Sequence, residues 1–585
     1  MTSSKEKIPV CAARQQLLLL VLVVLAVYYP ALTGSINSID DTHIVEAYGI
    51  NSVITLKDIL VPGHKFYYRP VVELSYYLDN LFWAMDASFM HLENVLLHLA
   101  NTLLVFAVAR QLWNTEQTAP PSLPLLTALL FALHPVNCEA VSWIAGRTDP
   151  LAACFVLAAA FFLLKGVDDR KQRYLYLAVL LVFLGALAKE IAIFFLPCAA
   201  FLAFSRSRAA GSPAGRRVAT ASLRPFLLAP LALFSLFVGH LLFNKGANSV
   251  ARLFEGRGGD AAGFLPALLK SFGFYVKKLF LPAPLNFAID GVADGYLWLG
   301  LLALVLLALL AVRGYRDIYC AFLVTGFFLI APALLVAVFK IAWTPVAERY
   351  LYLPSAFCAI GAVGLSYRLS ASLGFVRWLP AALVPLLLFA LFLTVGRVPV
   401  WQDNLTLYRD AVRQSPRFGA LRNELGLALL QKGRVAEGEE QLEIGRRLDP
   451  DSRVKALMDY NLLLERTKGK SPEQTLALLH EAIKDRRRVD TRLLILLRSA
   501  SVAKLGTTGD PAERILLTRD IIDTNNCLYA KNGDAASLYN NGQLSLSLGE
   551  TGTAAEYFRR AHAAAPEGAH FKEAAGRLAL KLGRH

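Results

Sequence analysis

Charged residues are scarce in this chain of 585 residues. Asp, Glu, Lys and Arg make up 18% of it, whereas hydrophobic residues make up 55%. A soluble globular domain carries about 25% charged residues, and the mean hydropathy of the chain is +0.45. This composition excludes a chain that is soluble throughout. Near Trp401 the apolar runs give way to a segment rich in Arg, Glu, Lys and Asn, so we expect a membrane domain followed by a soluble one.

Closely spaced cysteines and nucleic-acid motifs are also lacking. The seven cysteines are scattered without CxxC spacing, a pattern that favours packed thiols over disulfides or a metal site. The formal net charge of +15 arises from 60 basic and 45 acidic residues. Much of the basic excess lies in short loops between apolar runs, where it indicates membrane topology rather than nucleic-acid binding.

Eleven apolar segments are predicted to span a membrane. The first follows a basic flank and lacks a convincing cleavage site, which favours a retained helix over a signal peptide. The predicted spans are 16–33, 92–109, 122–135, 150–165, 173–187, 190–204, 224–243, 295–312, 317–338, 351–367 and 378–396.

The basic loops predict the orientation of these spans. They place the N-terminus in the cytoplasm and everything after Trp401 on the extracytoplasmic side. Segment 262–281, in which three lysines interrupt an apolar pattern, is predicted to be an amphipathic helix on the outer membrane surface. The extracytoplasmic segments are then 34–91, 136–149, 188–190, 244–294, 339–350 and 401–585.

Polar residues concentrate where the spans meet these outer segments. They are Asp40, Asp41, Arg69, His91, Asn94, His134, Glu139, Arg147, Asp149, Lys189, Glu190, Glu348 and Arg349. Each group also has a structural explanation. The acidic pair fits a solvated turn, the residues around His91 and His98 fit an interhelical hydrogen-bond cluster, Lys189 and Glu190 fit a simple turn, and Glu348 and Arg349 fit a self-neutralising pair.

Four cations of this set come from different segments of one face. Arg69, Arg147, Lys189 and Arg349 therefore predict a convergent site for an anion, and Arg suits phosphate because its planar fork binds two oxygens. Together with paired carboxylates, the cations suit a reaction in which a lipid-linked sugar phosphate is the donor. The cations would stabilise the departing polyprenyl phosphate, while a carboxylate would take the proton of an attacking hydroxyl.

Five stretches carry a resemblance to a known family. SIDDTHIV, YYRPVVELSYYLD with HLENVLLHL, ALHPVNCEAVSWIAGRTDPLA, ALAKEIAIF and AERYLYLPS occur in that order. The set resembles the transmembrane and tetratricopeptide-repeat O-mannosyltransferases, whose membrane part is a GT-C type glycosyltransferase. The resemblance implies an all-α GT-C helix bundle over residues 1–400, with 34–91 as its first outer loop. It also implies transfer of mannose or another hexose from a polyprenyl-phosphate donor to a Ser or Thr hydroxyl of an envelope or secreted protein.

The resemblance also implies roles for individual residues. The family's acidic pair falls on Asp40 and Asp41, and Asp41 is expected to be the base. The four cations are expected to hold the donor phosphate, with supporting roles for His91, Asn94, His134, Glu139, Asp149, Glu190 and Glu348. The soluble part is shorter than in eukaryotic members, which favours a bacterial protein with undecaprenyl phosphate as the carrier.

Residues 401–585 contain a repeated pattern. In segments 417–450 and 534–567, Gly426, Gly433 and Pro450 match Gly542, Gly549 and Pro566, a period of about 34 residues that is typical of tetratricopeptide helix pairs. Such α-solenoids bind peptides on a concave surface. We therefore expect this domain to capture the acceptor protein, with contacts from Arg422, Asn423, Tyr539 and Asn541; a domain that only oligomerises is the alternative.

Two other classes of function stay open. The first is a non-catalytic, membrane-anchored repeat scaffold that organises an envelope complex. The second, a transporter or lipid flippase, is disfavoured because the charged residues cluster at helix ends rather than deep in the spans. No cofactor follows from the sequence, and a divalent cation at the acidic pair stays open. The expected location is the plasma membrane, with polyprenyl-phosphate sugar, acceptor protein and membrane lipid as partners and no nucleic acid.

Overall fold

The computed structural model describes residues 10–50, 52–61, 68–114, 116, 118–209, 261–289, 291–339, 342, 344–449 and 453–583. Regular structure in these ranges is helical, apart from one isolated bridge between Ile289 and Val346. The predicted all-α class is therefore confirmed for these ranges. The chain forms two compact units, Met1–Ser415 and Pro416–His585.

The first unit consists of helices joined mostly by short turns. They are α1 (Val10–Tyr28), α2 (Ser38–Tyr48), α3 (Leu56–Leu60), α4 (Pro70–Trp83), α5 (Ala87–Trp113), α6 (Leu123–Ala132), α7 (Cys138–Ser142), α8 (Thr148–Asp169), α9 (Gln172–Ala188), α10 (Phe195–Ala209), α11 (Ala261–Phe280), α12 (Tyr296–Arg313), α13 (Ile318–Phe328), α14 (Ala331–Phe339), α15 (Tyr352–Ser372), α16 (Leu379–Arg397) and α17 (Asn404–Gln414).

Eight helices in the described part of the chain are long and apolar enough to cross a membrane. They are Ala13–Thr33, Ala87–Trp113, Ala145–Asp169, Glu190–Arg208, Tyr296–Arg313, Ile318–Phe339, Glu348–Ser372 and Val376–Trp401. The bent pair Leu123–Ala132 and Pro135–Ser142 makes a ninth if it is one span, and α9 is a shorter apolar helix. The predicted span 224–243 lies outside the described residues. The number and apolarity of these helices indicate a multi-pass membrane protein.

The surface of the first unit supports this conclusion. Helix α12 exposes Trp298 (72%), Leu302 (55%) and Val312 (72%). A contiguous apolar surface of this kind is unfavourable in water and suits contact with lipid tails. The segments predicted to lie outside the membrane include, by contrast, the short helices α2, α3 and α4 and the turns around α7, which carry Asp40, Asp41, Glu139 and Arg147.

Glycines allow α13 and α15 to pack closely. A Cβ atom at Gly361 would meet the backbone of Leu323, and one at Gly364 would overlap the ring of Tyr319. Small residues at such positions let two membrane helices approach and gain van der Waals contact, since lipid tails leave little hydrophobic driving force between helices.

Helix α11 confirms the helix predicted over 262–281, but one of its lysines does not face outward as expected. The side chain of Lys278 is 3% exposed and forms an ion pair with Glu348, while Phe272, Tyr275 and Leu279 on the same helix are buried. Lys278 can be buried because Glu348 balances its charge.

The cysteines agree with the prediction of packed thiols. The six cysteines whose side chains are described are free, and Cys138, Cys198, Cys320 and Cys358 are buried. The apolar surroundings of these four thiols are typical of structural cysteines rather than reactive ones.

The second unit is a succession of antiparallel helices. They are α18 (Gly419–Gln431), α19 (Val435–Leu448), α20 (Arg453–Thr467), α21 (Pro472–Ala482), α22 (Thr491–Thr507), α23 (Pro511–Asn532), α24 (Ala535–Ser547), α25 (Thr551–Ala564) and α26 (Lys572–Leu582). The pairs α18–α19 and α24–α25 turn at Gly433 (φ +74°) and Gly549 (φ +77°), a backbone conformation that glycine adopts without strain. Each pair contains one of the repeated sequence patterns, of which Pro450 lies outside the described residues.

Replacing Gly364 by Ala should destabilise the membrane bundle. The added methyl group would overlap Tyr319, and overpacking of this kind costs about 1–3 kcal/mol. Thermal unfolding of the detergent-solubilised protein measures the effect as a lower Tm. Gly396→Ala in α16 is the matched control, because a Cβ atom there meets no atom within 4 Å. Equal Tm values for the two variants would contradict the close packing of α13 on α15.

Candidate active site

The acidic pair lies in the first turn of α2, and this turn is tied to two other parts of the unit. The backbone N–H of Ser35 donates to the carbonyl of Gln402 at 2.9 Å. The backbone N–H of Ser38 donates to Oδ1 of Asn404 at 2.6 Å, and Nε1 of Trp143 donates to Oγ of Ser38 at 2.9 Å. The start of α2 therefore has a fixed position relative to the 143–147 turn and to the beginning of α17.

Asp41 is fully buried and both of its carboxylate oxygens accept backbone hydrogen bonds. Oδ1 accepts from the N–H of Ala145 at 2.8 Å, and Oδ2 accepts from the N–H of Asn37 at 3.2 Å. Burial raises the pKa of Asp41, while the two backbone N–H groups lower it. With both oxygens in use, this carboxylate is built to hold the α2 turn against the 143–147 turn.

Asp40, next to it, is half-buried and accepts no hydrogen bond from any described residue. Burial raises the pKa of Asp40, and the positive charges of Arg349 and His43 lower it. Its carboxylate is therefore accessible, lies near a cation and has lone pairs to spare. The geometry thus favours Asp40, rather than the predicted Asp41, as the group that could accept a proton from a substrate.

Arg349 lies between two aromatic rings beside this acid. Its guanidinium carbon is 5.2 Å from the ring centre of Trp143 and 4.9 Å from that of Tyr350. Glu139 pairs with it, because Oε1 accepts from Nη1 and Oε2 accepts from the backbone N–H of Arg349 at 3.0 Å. Among the described residues, the contacts of the Nη2 atom are long, at 3.4 Å to Thr344 and 3.5 Å to Tyr350, so this side of the fork has capacity for another acceptor.

Lys189 comes from a different segment of the chain than Arg349 but also lies next to Tyr350. Its Nζ donates to Oδ1 of Asp149 at 2.6 Å and lies 5.3 Å from the ring centre of Tyr350. Burial lowers the pKa of Lys189, Asp149 raises it, and the nearby cations Arg69 and Arg349 lower it further. The structure thus brings three of the four predicted cations together.

Arg69 joins this group through the residue that follows Lys189. Its Nε and Nη2 atoms donate to Oε1 and Oε2 of Glu190 at 3.1 and 2.7 Å. This bidentate pair fixes the start of α4 next to the 189–190 turn. Its side chains are 20% and 38% exposed, so the pair is at the open edge of the cluster.

Arg147, the fourth predicted cation, has a different environment. It is fully buried, and its nitrogen atoms donate to Oδ1 of Asn94 at 3.0 Å, Oγ of Ser75 at 3.3 Å, Oδ2 of Asp79 at 2.6 Å and the carbonyl of Met90 at 3.1 Å. A guanidinium surrounded by protein acceptors has little capacity left for a phosphate. The contacts of Arg147 therefore fit a structural role rather than the predicted phosphate binding.

Two of the predicted supporting residues, Asn94 and His91, contact segments next to the acidic pair. Asn94 donates from Nδ2 to the carbonyl of Trp143 at 2.7 Å, next to the turn that holds Asp41. His91 Nε2 lies 3.4 Å from the carbonyl oxygen of Ser35, just before α2. Both residues therefore support the acidic turn.

The other histidines serve helix packing. His98 lies between the hydroxyl of Tyr352, 2.8 Å from Nδ1, and the carbonyl of Ala132, 3.1 Å from Nε2. His134 Nε2 lies 3.0 Å from the carbonyl of Leu279. These contacts match the interhelical hydrogen bonding considered for His98, and they connect His134 to the end of α11.

Glu348 faces away from its neighbour Arg349. It is buried, pairs with Lys278, and accepts from the backbone N–H of Asn286 at 3.0 Å. The self-neutralising pair of Glu348 with Arg349 is therefore not formed, since each residue pairs with a partner from a different part of the unit.

Two of the four predicted acceptor contacts in the second unit are buried asparagines. Asn423 accepts from Nδ2 of Asn461 at 2.9 Å, and Asn541 accepts from Nδ2 of Asn525 at 2.8 Å. They are 1% and 0% exposed, so they connect helices rather than present a surface. Arg422 and Tyr539 are partly exposed and stay candidates for acceptor contact.

No group of three or more His, Cys, Asp or Glu side chains in the described ranges is arranged to hold a metal ion. The carboxylates around the acidic pair, Glu139, Asp149 and Glu190, each have a cation as partner. Such pairing leaves these oxygens poorly suited to serve as metal ligands.

Reasoning from the sequence missed Asp79, Lys278 and Tyr350. Asp79 ends the YYRPVVELSYYLD stretch and Lys278 lies in the predicted amphipathic helix, but only the need of a buried Arg147 or Glu348 for a counter-charge would have pointed to them. Tyr350 follows Arg349 directly in the AERYLYLPS stretch, but its contact with Lys189 depends on tertiary structure.

Comparison with known proteins extends these observations. Residues 81–242 match the family model described as dolichyl-phosphate-mannose-protein mannosyltransferase. Over 401 residues, which are 66% of this chain and 54% of the relative, the chain is 26% identical to a protein O-mannosyl-transferase of Caenorhabditis elegans. The chain therefore spans about half the length of this relative.

Shorter stretches match relatives from other animals. The protein O-mannosyl-transferase Tmtc1 of Drosophila melanogaster is 35% identical over 128 residues, 22% of this chain and 14% of the relative. The protein O-mannosyl-transferase tmtc2 of Xenopus laevis is 38% identical over 108 residues, 18% of this chain and 12% of the relative. The chain is thus similar to protein O-mannosyl-transferases over these stretches, in agreement with the resemblance of its motifs.

Proposed function

We propose that this protein transfers a sugar, by analogy with its relatives mannose, from a polyprenyl-phosphate donor to a Ser or Thr hydroxyl of a protein on the extracytoplasmic side. The observation that carries this proposal is the pairing of an accessible carboxylate, Asp40, with the cation cluster of Arg69, Lys189 and Arg349. The acid, at the outer ends of apolar helices, can accept the proton of the acceptor hydroxyl. The cation cluster beside it can stabilise the departing phosphate.

In the first half, Asp40 acts as the general base. It accepts the proton of the acceptor hydroxyl as that oxygen attacks the anomeric carbon of the sugar. Asp41 does not take part in the proton transfer, because both of its oxygens hold backbone N–H groups. Its role is to keep the α2 turn, and thereby Asp40, in place.

In the second half, the bond between the anomeric carbon and the phosphate oxygen breaks, and polyprenyl phosphate leaves with the bonding electrons. Arg349 through its Nη2 atom and Lys189 through its ammonium group stabilise the charge that develops on the phosphate. Glu139 and Asp149 keep these two cations oriented before the donor binds. Arg69 adds positive charge at the open edge of the cluster.

The acceptor protein is proposed to bind to the second unit. Its helix pairs have the spacing of tetratricopeptide repeats, which present a concave peptide-binding surface. The partly exposed Arg422 and Tyr539 are the contacts we retain there. The second unit would then raise the local concentration of acceptor, while the chemistry takes place in the first unit.

Asp40→Asn should strongly slow sugar transfer without unfolding the protein, because Asn cannot accept the proton and Asp40 accepts no hydrogen bond from a described residue that the change would break. The assay reconstitutes the protein in liposomes with polyprenyl-phosphate mannose and an acceptor protein, and measures the hexose-sized mass increase. Loss of a general base lowers the rate by about 100-fold to 10,000-fold.

Glu46→Gln is the matched control for this variant. Glu46 is an exposed acid of the same helix α2, so the same change of charge and shape should leave the transfer rate near that of the unchanged protein. An Asp40→Asn protein that keeps its full rate would rule out the proposed base and favour the scaffold function.

The transfer rate should fall on acidification, as Asp40 becomes protonated and can no longer act as a base. Burial raises its pKa and the charges of Arg349 and His43 lower it. Replacing the exposed His43 by Gln removes one of these charges, so the pKa of Asp40 rises and the acid limb of the pH–rate profile moves to higher pH. His43→Lys keeps a positive charge beside Asp40 and should leave the acid limb close to that of the unchanged protein. Identical limbs in the three proteins would show that another group controls the rate.

A further inference from the structure

We infer that Asp79 is a positioning residue for the acidic pair, acting through Arg147 and the 143–147 turn. This inference rests on the proposed function, because it assigns Asp79 to the same site. Asp79 lies on α4, in the same first outer segment as Asp40 and Asp41 on α2. Neither the sequence motifs nor the comparisons give it a role.

The first step is the ion pair between Asp79 and Arg147. Oδ2 of Asp79 lies 2.6 Å from Nη1 of Arg147, and the side chains are 0% and 1% exposed. Glu93 Oε2 lies 3.1 Å from the same Nη1 atom and is 32% exposed. A buried guanidinium is stable only when its charge is balanced, and Asp79 is the partner that is fully enclosed with it.

The second step leads from Arg147 to the backbone of the turn. Arg147 is the last residue of the short 3-10 helix Ala145–Arg147. Its Nε atom donates to Oδ1 of Asn94 at 3.0 Å, and Nδ2 of Asn94 donates to the carbonyl of Trp143 at 2.7 Å. Both ends of the turn are thus held, one through the Arg147 side chain and one through the Trp143 carbonyl.

The third step leads from the turn to the acidic pair. The N–H of Ala145, in the middle of the turn, donates to Asp41 Oδ1 at 2.8 Å. Asp41 in turn fixes the first turn of α2 by accepting from Asn37, and Asp40 is the adjacent residue. Displacement of reacting groups by about 1 Å can cost a rate factor of about 100, so the position of this turn matters for the reaction.

The chain also contains a matched ion pair outside this path. Asp168 accepts from Nε and Nη2 of Arg206 at 2.8 and 3.1 Å, at the end of α8 opposite to the 143–147 turn. This pair uses the same carboxylate and guanidinium chemistry between two helices, with Asp168 31% and Arg206 10% exposed, and Asp168 also accepts from Nε2 of Gln111 at 3.1 Å. Loss of this pair therefore shows the effect of removing an interhelical ion pair outside the path to the acidic pair.

The test compares Asp79→Asn with Asp168→Asn in the reconstituted full-length protein. Asp79→Asn should lower kcat for sugar transfer about 10-fold to 100-fold with little change in KM for donor and acceptor. Hydrogen exchange at the amides of 143–147 should become faster in this variant. Asp168→Asn should change neither quantity. The exchange readout needs no activity, so it tests the positioning role even if the proposed reaction is wrong.

Two further variants keep the inference falsifiable. Arg147→Gln removes the link through which Asp79 acts, so adding Asp79→Asn to it should lower kcat no further. Asn94→Ala leaves the ion pair intact and should reproduce the loss of kcat and the faster exchange, which matters if Asp79→Asn does not fold. Unchanged exchange at 143–147 in the folded variants, or independent losses that multiply in the double variant, would overturn the positioning role.

Discussion

The site depends on one interaction, the pair of backbone hydrogen bonds that Asp41 accepts from Asn37 and Ala145. These hydrogen bonds join α2, which carries Asp40 and Asp41, to the 143–147 turn. Trp143, at the other end of this turn, contacts both Ser38 and Arg349. Because Asp41 holds these segments together, Asp40 lies beside the cations rather than in a solvated loop.

Charge balance explains how so many ionisable groups can be buried at the ends of apolar helices. Asp149 with Lys189, Glu139 with Arg349, Asp79 with Arg147 and Glu348 with Lys278 form ion pairs between distant parts of the chain. An unpaired charge in such surroundings is costly. Asp40 differs from all of them, since it has nearby positive charge but no hydrogen-bonded partner among the described residues, and this difference is why we propose it as the base.

The membrane spans and some residues of the candidate site could be predicted from the sequence. Apolar runs predicted the spans, and the position of Lys189 and Arg349 next to span ends indicated that they belong to one face. The pairing partners could not be predicted, because each pair joins residues that are far apart in sequence. The sequence led to Asp41 as the expected base, whereas we propose Asp40, because adjacent acids look equivalent until the N–H group of Ala145 is placed against one of them.

Arg147 shows the limit of reading function from residue type. Its place among four cations suggested phosphate binding, yet burial and four protein acceptors leave it a structural part of the site. We therefore propose that Lys189, Arg349 and Arg69 supply the positive charge for a lipid phosphate. In this account the buried cation shapes the turn and the partly exposed cations contact the donor.

The central claim is that the first unit transfers a sugar from a polyprenyl-phosphate donor. The most direct measurement supplies the purified full-length protein in liposomes with polyprenyl-phosphate mannose and an acceptor protein, and records the intact mass of the acceptor. The account predicts a hexose-sized increase on Ser or Thr residues together with release of polyprenyl phosphate. An acceptor whose mass stays unchanged with this donor, but increases with a nucleotide sugar, would contradict it.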